Sequence, residues 1–148
     1  MEERFKTFTV LISKISRYIR RIKTEEMAKF NLKSPHVSCL YYLYKNQTLT
    51  AKELCDICEE DKAAISRSIE YLETNNYLIC DSNLKKRYKS PLFLTEKGQQ
   101  IGKIIAEKID SILKIASDGL TDEDRNTLYS SLKIISDNLK NICDEKGE

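Results

Sequence analysis

The amino-acid sequence predicts a mainly α-helical fold with a small two-stranded β element between the helices. Apolar residues recur at steps of three and four over long stretches, which is the helical period. Only 4 Gly and 2 Pro occur among 148 residues, so few points force a helix to end. The period changes once, after residues 75–76. A chain of this length can bury its own core, and we predict a single domain over residues 1–148.

The first helix is predicted over residues 5–29. Its apolar residues form one stripe and most of its cations fall elsewhere, which indicates an amphipathic helix. The stripe consists of Phe8, Leu11, Ile12, Ile15, Ile19 and Ile22.

Ser34-Pro35 predicts the start of the second helix, because serine can cap free N–H groups and proline fits the first helical position. His36 lies in the first turn, where an exposed or capping role is expected rather than a ligand role. The apolar residues that follow cover a wide arc and predict a well-buried helix: Val37, Leu40, Tyr41, Leu43 and Tyr44.

Two short helices joined by a tight turn come next. Thr50 and Glu53 have the spacing of a capping box, which predicts a helix start. The inward positions of this helix are Leu54, Ile57 and Cys58. After the acidic pair Glu59-Glu60, Asp61 can cap a further helix that runs to about residue 75. The residues on its inward face are Ile65, Ile69 and Leu72. Together these helices predict a helix-turn-helix.

A strand over residues 77–80, a basic loop over residues 81–90 and a returning strand over residues 91–94 predict a two-stranded wing. The cations near the tip of this wing are Lys85, Lys86, Arg87 and Lys89. The predicted fold is therefore a winged helix-turn-helix.

Two long helices close the chain. Thr95 can cap the first of them and Gly119 is placed to end it. Residues 121–124 start the second, whose apolar residues repeat in a heptad-like pattern. They are Leu128, Leu132, Ile135, Leu139 and Ile142.

The order and spacing of several short motifs resemble the MarR family of winged-helix transcriptional regulators, over almost the whole chain. The motifs are LTAKEL at 49–54, ISR at 65–67, LE at 72–73, LTEKG at 94–98 and LTDED at 120–124. The resemblance implies a homodimer through residues 1–33 and 99–148, with residues 34–98 as the DNA-binding part. It also implies repression of transcription and a small-molecule pocket, whose candidate lining residues are Tyr18, Phe30, Tyr41 and Tyr44.

The helix that begins after Asp61 is the predicted DNA reader, since the major groove admits an α-helix. Opposite its inward face lie Lys62, Ala63, Ser66, Arg67 and Glu70. Arg67 can bond both O6 and N7 of guanine, Lys62 and Ser66 suit phosphates, and Ala63 suits a thymine methyl group. The wing cations would contact phosphates or the minor groove, with Arg87 as the minor-groove candidate.

Two departures from the family pattern concern this reader. Tyr71, a further candidate DNA contact, stands where members often carry Arg, and the wing lacks the usual Asp-Arg pair. The carboxylates of Glu59 and Glu60 would repel phosphates near the start of the reader. A winged-helix module that has lost DNA binding and contacts another protein therefore stays open as an alternative.

The cysteines leave a second alternative, a thiol-based redox-sensing regulator. Cys55 and Cys58 form a C-x-x-C pair, yet they occupy small or apolar helical positions, and we expect buried structural thiols. The same is expected of Cys39 and Cys80, whereas Cys143 should be exposed. With one histidine in the chain, a zinc site is disfavoured, and no cofactor is predicted.

Other classes are excluded by composition and motif. The sequence has no paired carboxylates on an apolar background, no nucleophile with a base and no Gly-rich phosphate loop. None of the usual signs of an enzyme is therefore present. No run of apolar residues approaches the ~20 that span a bilayer, and the N-terminus lacks signal-peptide features. We therefore expect a cytoplasmic protein. The net charge of +2 is nearly balanced, so the expected partner, double-stranded DNA, is indicated by the local basic wing rather than by total charge.

Overall fold

The structure, a computed structural model, describes residues 2–81 and 89–147. The predicted basic wing tip falls largely on residues 82–88, which lie outside the described ranges. The chain divides into two compact units, Met1–Lys108 and Ile109–Glu148.

The N-terminal helical segment begins earlier than predicted. Helix α1 (Glu2–Lys6) is followed by a π-helical turn over Thr7–Leu11, helix α2 (Ile12–Glu26) and a 3₁₀ turn over Ala28–Phe30. The apolar stripe is present, but most of it is exposed in this chain; Leu11 is 51% exposed and Ile15 is 49% exposed. The stripe is thus an apolar face without a partner among the described residues.

Helix α3 (Ser34–Asn46) lies at the centre of the first unit, against α2 and the helix over Lys62–Thr74. Val37, Leu40 and Leu43 are fully buried, as the wide apolar arc predicted, while Tyr41 and Tyr44 are half-buried. The prediction that Ser34 caps this helix is wrong, because Ser34 is its first helical residue. The cap comes from His36, whose Nδ1 accepts the N–H of Lys33 at 3.0 Å, so the predicted capping role of His36 is confirmed.

The helix-turn-helix consists of α4 (Ala51–Ile57) and α5 (Lys62–Thr74). Helix α5 is the helix that the sequence predicts to read DNA, and we call it the recognition helix. The predicted capping box at the start of α4 is confirmed. Glu53 N donates to Thr50 Oγ1 at 3.1 Å, and Thr50 N donates to Glu53 Oε2 at 3.0 Å. Leu54 is fully buried, but the inward placement of Ile57 is wrong: α4 ends at this residue, and its side chain is 44% exposed.

The β element has one strand more than predicted. Strands β2 (Leu78–Cys80) and β3 (Pro91–Leu94) form the wing hairpin, and β1 (Thr48–Thr50) pairs with the other edge of β3. Both pairings are antiparallel. Leu92 and Leu94 are buried and Phe93 between them is exposed, so one face of the sheet covers the core.

Helix α6 (Glu96–Ala116) begins as predicted, with Gly98 N donating to Thr95 Oγ1 at 3.1 Å. In the second unit, the connection after α6 contains Gly119 at φ 90°, a conformation that suits glycine. Helix α7 (Asp122–Lys146) starts with the capping pair Thr121 and Asp124. Its seam residues are exposed or half-exposed within this chain.

Among the described residues, no helix is both long and apolar enough to cross a membrane.

Candidate nucleic-acid interface

The recognition helix α5 is amphipathic, as the sequence predicts. Its inward residues Ile65, Ile69 and Leu72 are 1%, 5% and 0% exposed and pack into the core. Two small residues beside them, Ala64 and Ser68, are buried as well. The five predicted reader residues are all exposed on the other side: Lys62, Ala63, Ser66, Arg67 and Glu70.

The N-terminus of α5 is capped by Asp61, as predicted. Its Oδ1 accepts the N–H of Ala64 at 2.7 Å, which satisfies one of the backbone donors that a helix start leaves free. The Asp61 carboxylate is therefore bonded to the backbone of α5 itself.

The two carboxylates before the cap form ion pairs with α2, which the sequence did not predict. Arg20 Nη2 lies 2.8 Å from both Glu60 Oε1 and Glu60 Oε2, and the Glu60 side chain is only 6% exposed. Lys23 Nζ lies 2.5 Å from Glu59 Oε1 and 2.8 Å from Ser38 Oγ. We call Arg20–Glu60 and Lys23–Glu59 the acidic-turn ion pairs.

The charge state of Glu59 follows from these contacts. Burial alone would raise its pKa, but the bonds donated by Lys23 Nζ and Ser38 Oγ lower the pKa to about 2. Glu59 is thus ionised at neutral pH and paired with a cation. The predicted repulsion of phosphates by this turn is correspondingly weakened.

Tyr71 is half-buried and packs against the segment before α3 and the first turn of α3. Its hydroxyl donates to the Asn31 carbonyl oxygen at 2.6 Å. Its ring stacks on that of His36 with centroids 4.2 Å apart and 12° between the planes. The predicted DNA contact of Tyr71 remains a prediction, and any such contact would compete with these two interactions.

The His36 ring is held neutral in this arrangement. Burial and the nearby charge of Lys33 lower its pKa from the ordinary value of 6.5. The neutral form leaves Nδ1 free to accept the Lys33 N–H, so the cap of α3 depends on the uncharged ring.

Of the predicted wing cations, Lys89 is described and exposed. Lys85, Lys86 and Arg87 lie outside the described residues.

The two wing strands, β2 and β3, place Ile79 and Phe93 side by side on the outer face of the sheet, where they are 57% and 44% exposed.

A cavity of about 560 Å³ lies beside the recognition helix. Its lining residues come from α4, α5 and β3: Ala51, Cys55, Lys62, Ile65, Ser66, Ile69, Glu70, Glu73, Thr74 and Leu92. This volume is within the usual range for small-molecule sites.

The four predicted pocket residues do not line this cavity. Tyr18 is 52% exposed on α2, and Phe30 lies under Lys29 Nζ at 5.1 Å. Tyr41 packs edge-on against Tyr42, and Tyr44 lies against α6, where a side chain at Gly102 would come within 2.8 Å of Tyr44 Cβ.

The cysteines are less buried than predicted. Cys39 is buried and Cys143 is exposed, both as expected, but Cys55, Cys58 and Cys80 are half-buried. Burial raises the pKa of Cys58 to about 11 and also raises that of Cys39. Both are therefore thiols at neutral pH, which disfavours them as redox nucleophiles.

No metal site emerges from the described part of the chain, where no three His, Cys, Asp or Glu side chains are grouped to hold an ion.

The residues that sequence reasoning missed are Arg20, Lys23 and Ser38. A partial signal existed, because both cations fall off the apolar stripe of the first helix. Their partners lie 36 and 40 residues away, and no spacing rule connects positions so far apart.

No family model matches the chain, and no curated protein matches it. Solved structures do. A MarR family transcriptional regulator from Listeria monocytogenes, solved in complex with a 26-mer DNA, is 30% identical, with 86% of this chain and 85% of that one covered and a TM-score of 0.79. A SlyA-like transcription regulator from the same organism has the same identity and coverage and a TM-score of 0.77.

A MarR family regulator from Neisseria meningitidis is similar in fold at 16% identity, with a TM-score of 0.81 over 97% of this chain and 98% of that one. The two relatives at 30% identity carry the assignment beyond fold, since they match across most of both chains. These relatives are regulators and not enzymes. The chain belongs to the MarR family of transcriptional regulators.

Proposed function

We propose that this protein is a transcriptional repressor that binds an inverted repeat in duplex DNA as a homodimer, with α5 in the major groove. The observation that carries the proposal is the exposed face of α5, which presents Lys62, Ser66 and Arg67 opposite a fully packed inner face. The relative from Listeria monocytogenes that was solved with a 26-mer DNA supports it. A cytoplasmic location follows from the same proposal, because a regulator acts where chromosomal DNA lies.

Arg67 is the proposed specificity residue, since its planar guanidinium can bond O6 and N7 of guanine together. Lys62 and Ser66 contact phosphates, and Ala63 meets a thymine methyl group. Glu70, further along the helix, suits the exposed amino group of cytosine. Lys89, with Lys85, Lys86 and Arg87, contacts the backbone or minor groove beyond the half-site.

The homodimer is supported by apolar faces that each unit leaves exposed. In the first unit they lie on α1, the π-helical turn after it and α2, and in the second on α7. The exposed residues include Phe8, Leu11, Ile15, Ile19, Leu128, Leu132, Leu139 and Ile142. Exposed apolar surface of this extent is typical of an interaction site. A two-fold dimer would present two α5 helices to half-sites about one turn, or roughly 34 Å, apart.

Release by a small-molecule effector belongs to the same proposal. A ligand that binds the dimer more tightly in a geometry that does not fit the half-site spacing would lower DNA affinity. Tyr18, Phe30, Tyr41 and Tyr44 stay the predicted lining of that site.

The test is a titration of the protein against duplex DNA from upstream of its own gene, with a scrambled duplex as control, at two salt concentrations. Arg67→Ala should weaken binding to the preferred duplex about tenfold or more, because a bidentate base contact is lost. Lys103→Ala, on the exposed side of α6, also removes one positive charge and should change affinity little.

Log affinity should fall against log salt with a slope of about −0.9 for each phosphate contact. A stoichiometry of two chains per site supports the dimer. Equal, weak binding of both duplexes by wild type and Arg67→Ala would refute the proposed function.

A further inference from the structure

The acidic-turn ion pairs connect α2 to the residues that immediately precede the recognition helix. Arg20 and Lys23 lie one turn apart on α2, and Glu59 and Glu60 come directly before the cap residue Asp61. The pairs span 40 and 36 residues of sequence. Both pairs are polar contacts between α2 and this turn.

We propose that the acidic-turn ion pairs fix the position of the α5 N-terminus relative to α2, which makes Arg20, Lys23, Glu59 and Glu60 positioning residues for DNA recognition. This inference rests on the proposed DNA-binding function of α5. The role that it assigns to the four residues does not require direct contact with DNA bases.

The geometry of the Arg20–Glu60 pair favours a fixed position. Both Glu60 oxygens lie 2.8 Å from Arg20 Nη2, and the Glu60 side chain is 6% exposed. Two charge-assisted bonds restrict the direction as well as the distance of the carboxylate. Burial shields the Glu60 carboxylate from water, while the Arg20 side chain is 57% exposed and stays in contact with solvent.

The Lys23–Glu59 pair extends the connection to a third element. The Lys23 side chain is 13% exposed, and its Nζ bonds both Glu59 and Ser38, while Ser38 Oγ donates to Glu59 Oε1 at 2.5 Å. Ser38 is itself buried in α3. The turn before α5 is therefore held from α2 and α3 at once.

The turn needs such contacts because it lies between helices. Helix α4 ends at Ile57, Cys58 and Asp61 have extended backbone conformations, and α5 begins at Lys62. Without contacts from α2, the first turn of α5 would be positioned only by this short connection and by the packing of Ala64 and Ile65 in the core. The same α2 helix carries exposed apolar residues of the proposed dimer interface.

A simpler role for the acidic turn gives the opposite prediction. If Glu60 only repelled phosphates, its removal would strengthen DNA binding, because one negative charge near the DNA is lost. If Glu60 positions α5, its removal weakens binding to the preferred duplex in spite of the lost negative charge. The sign of the change therefore separates the two roles.

The experiment compares Glu60→Gln with Asp56→Asn, which makes the same charge change at an exposed site on α4. Glu60→Gln should lower affinity for the preferred duplex about tenfold without lowering affinity for the scrambled duplex. Asp56→Asn should cause no such loss. Because Arg20 is 57% exposed, its guanidinium stays hydrated when Glu60 is replaced, and the variant should fold.

Two further variants test the Arg20–Glu60 pair directly, the first of them in a double-mutant cycle. In an Arg20→Gln background, Glu60→Gln should have no further effect on the preference between duplexes, because the pair is already broken. Arg20→Lys keeps the positive charge beside Glu60 and should cause a smaller loss than Arg20→Gln.

Hydrogen exchange without DNA gives an independent readout. The amides of Ala64 and Ile65, which are bonded to Asp61 Oδ1 and Asp61 O, should exchange several-fold faster in Glu60→Gln than in Asp56→Asn. If wild type shows no duplex preference while exchange rises, the proposed function fails and the positioning of α5 stands. If wild type prefers its duplex while Glu60→Gln binds as tightly with unchanged exchange, the inference is overturned.

Discussion

Replacing Gly98 with alanine would add a methyl group where the first turn of α6 meets the backbone of Tyr77. A Cβ at this position would lie 2.0 Å from the Tyr77 carbonyl oxygen and 3.1 Å from Leu94 Cδ2. The carbonyl is fixed, since it accepts from Thr95 N at 3.0 Å and from Thr95 Oγ1 at 3.2 Å. The methyl group can be accommodated only if the helix and the base of the wing move apart.

The magnitude follows from opposing effects. Overpacking of this kind costs about 1–3 kcal/mol, and each weakened hydrogen bond costs about 1 kcal/mol more. Alanine recovers about 1 kcal/mol through its higher helix propensity. We therefore expect Gly98→Ala to lower the free energy of unfolding by about 3 kcal/mol, which for this chain length lowers Tm by about 6–12 °C.

Thermal unfolding followed by circular dichroism, at equal protein concentration, measures this change. Gly147→Ala is the matched control, because a Cβ there would lie at ordinary contact distances of 3.5 Å from Cys143 O and 3.7 Å from Asp144 O. The control should unfold within about 0.5 kcal/mol of wild type. A Gly98→Ala protein as stable as the control would show that the close approach of Gly98 to Tyr77 does not hold.

Four further outcomes are expected. Tyr71→Phe should lower the free energy of unfolding by about 1 kcal/mol in denaturant titrations, through loss of the bond to the Asn31 carbonyl, and an unchanged midpoint would contradict that bond. The single His36 should titrate below 6.5 by NMR, and stability should decline as pH falls below 6.5, because the unfolded state then binds the proton more readily; a pKa at or above 6.5 would refute the buried neutral ring. Wild type should be more stable than Glu59→Gln above pH 4.5, and acid titration should show the difference shrinking as pH falls from 4.5 to about 2; a difference independent of pH would exclude the ion pair as its source. Cys58, with a pKa of about 11, should react with iodoacetamide at pH 7.5 more slowly than a free thiol of ordinary pKa near ~8.5, and mass spectrometry showing rapid labelling of the folded protein would contradict its environment.

Local sequence predicted much of the fold because the forces that set helix ends act within a few residues. Thr50 with Glu53, and Thr121 with Asp124, cap their helices across three positions, and the structure has these bonds. Likewise, the buried face of α5 follows from periodicity alone. The exposed face that forms the candidate site is the complement of that buried face, and so it was predictable too.

Predictions that depended on neighbours outside the local segment were less successful. Strand β1 forms only because β3 offers it a free edge, and a three-residue segment has no periodic signal of its own. Ile57 has an apolar side chain at a helical position, but α4 ends there and the core does not reach it. Ser34 is a good capping residue in sequence, yet His36 supplies the acceptor and Ser34 is buried.

The sequence by itself determined the main helices, most of their caps and the residues that α5 exposes. Only the tertiary structure decided what the acidic turn contacts, because Lys23 and Arg20 neutralise the charges of Glu59 and Glu60 only where the packed helices bring them together. An ion pair between residues 36 or 40 positions apart requires the packed helices to bring the two ends together. No local pattern encodes that distance, since it is a property of how α2, α3 and the turn before α5 pack.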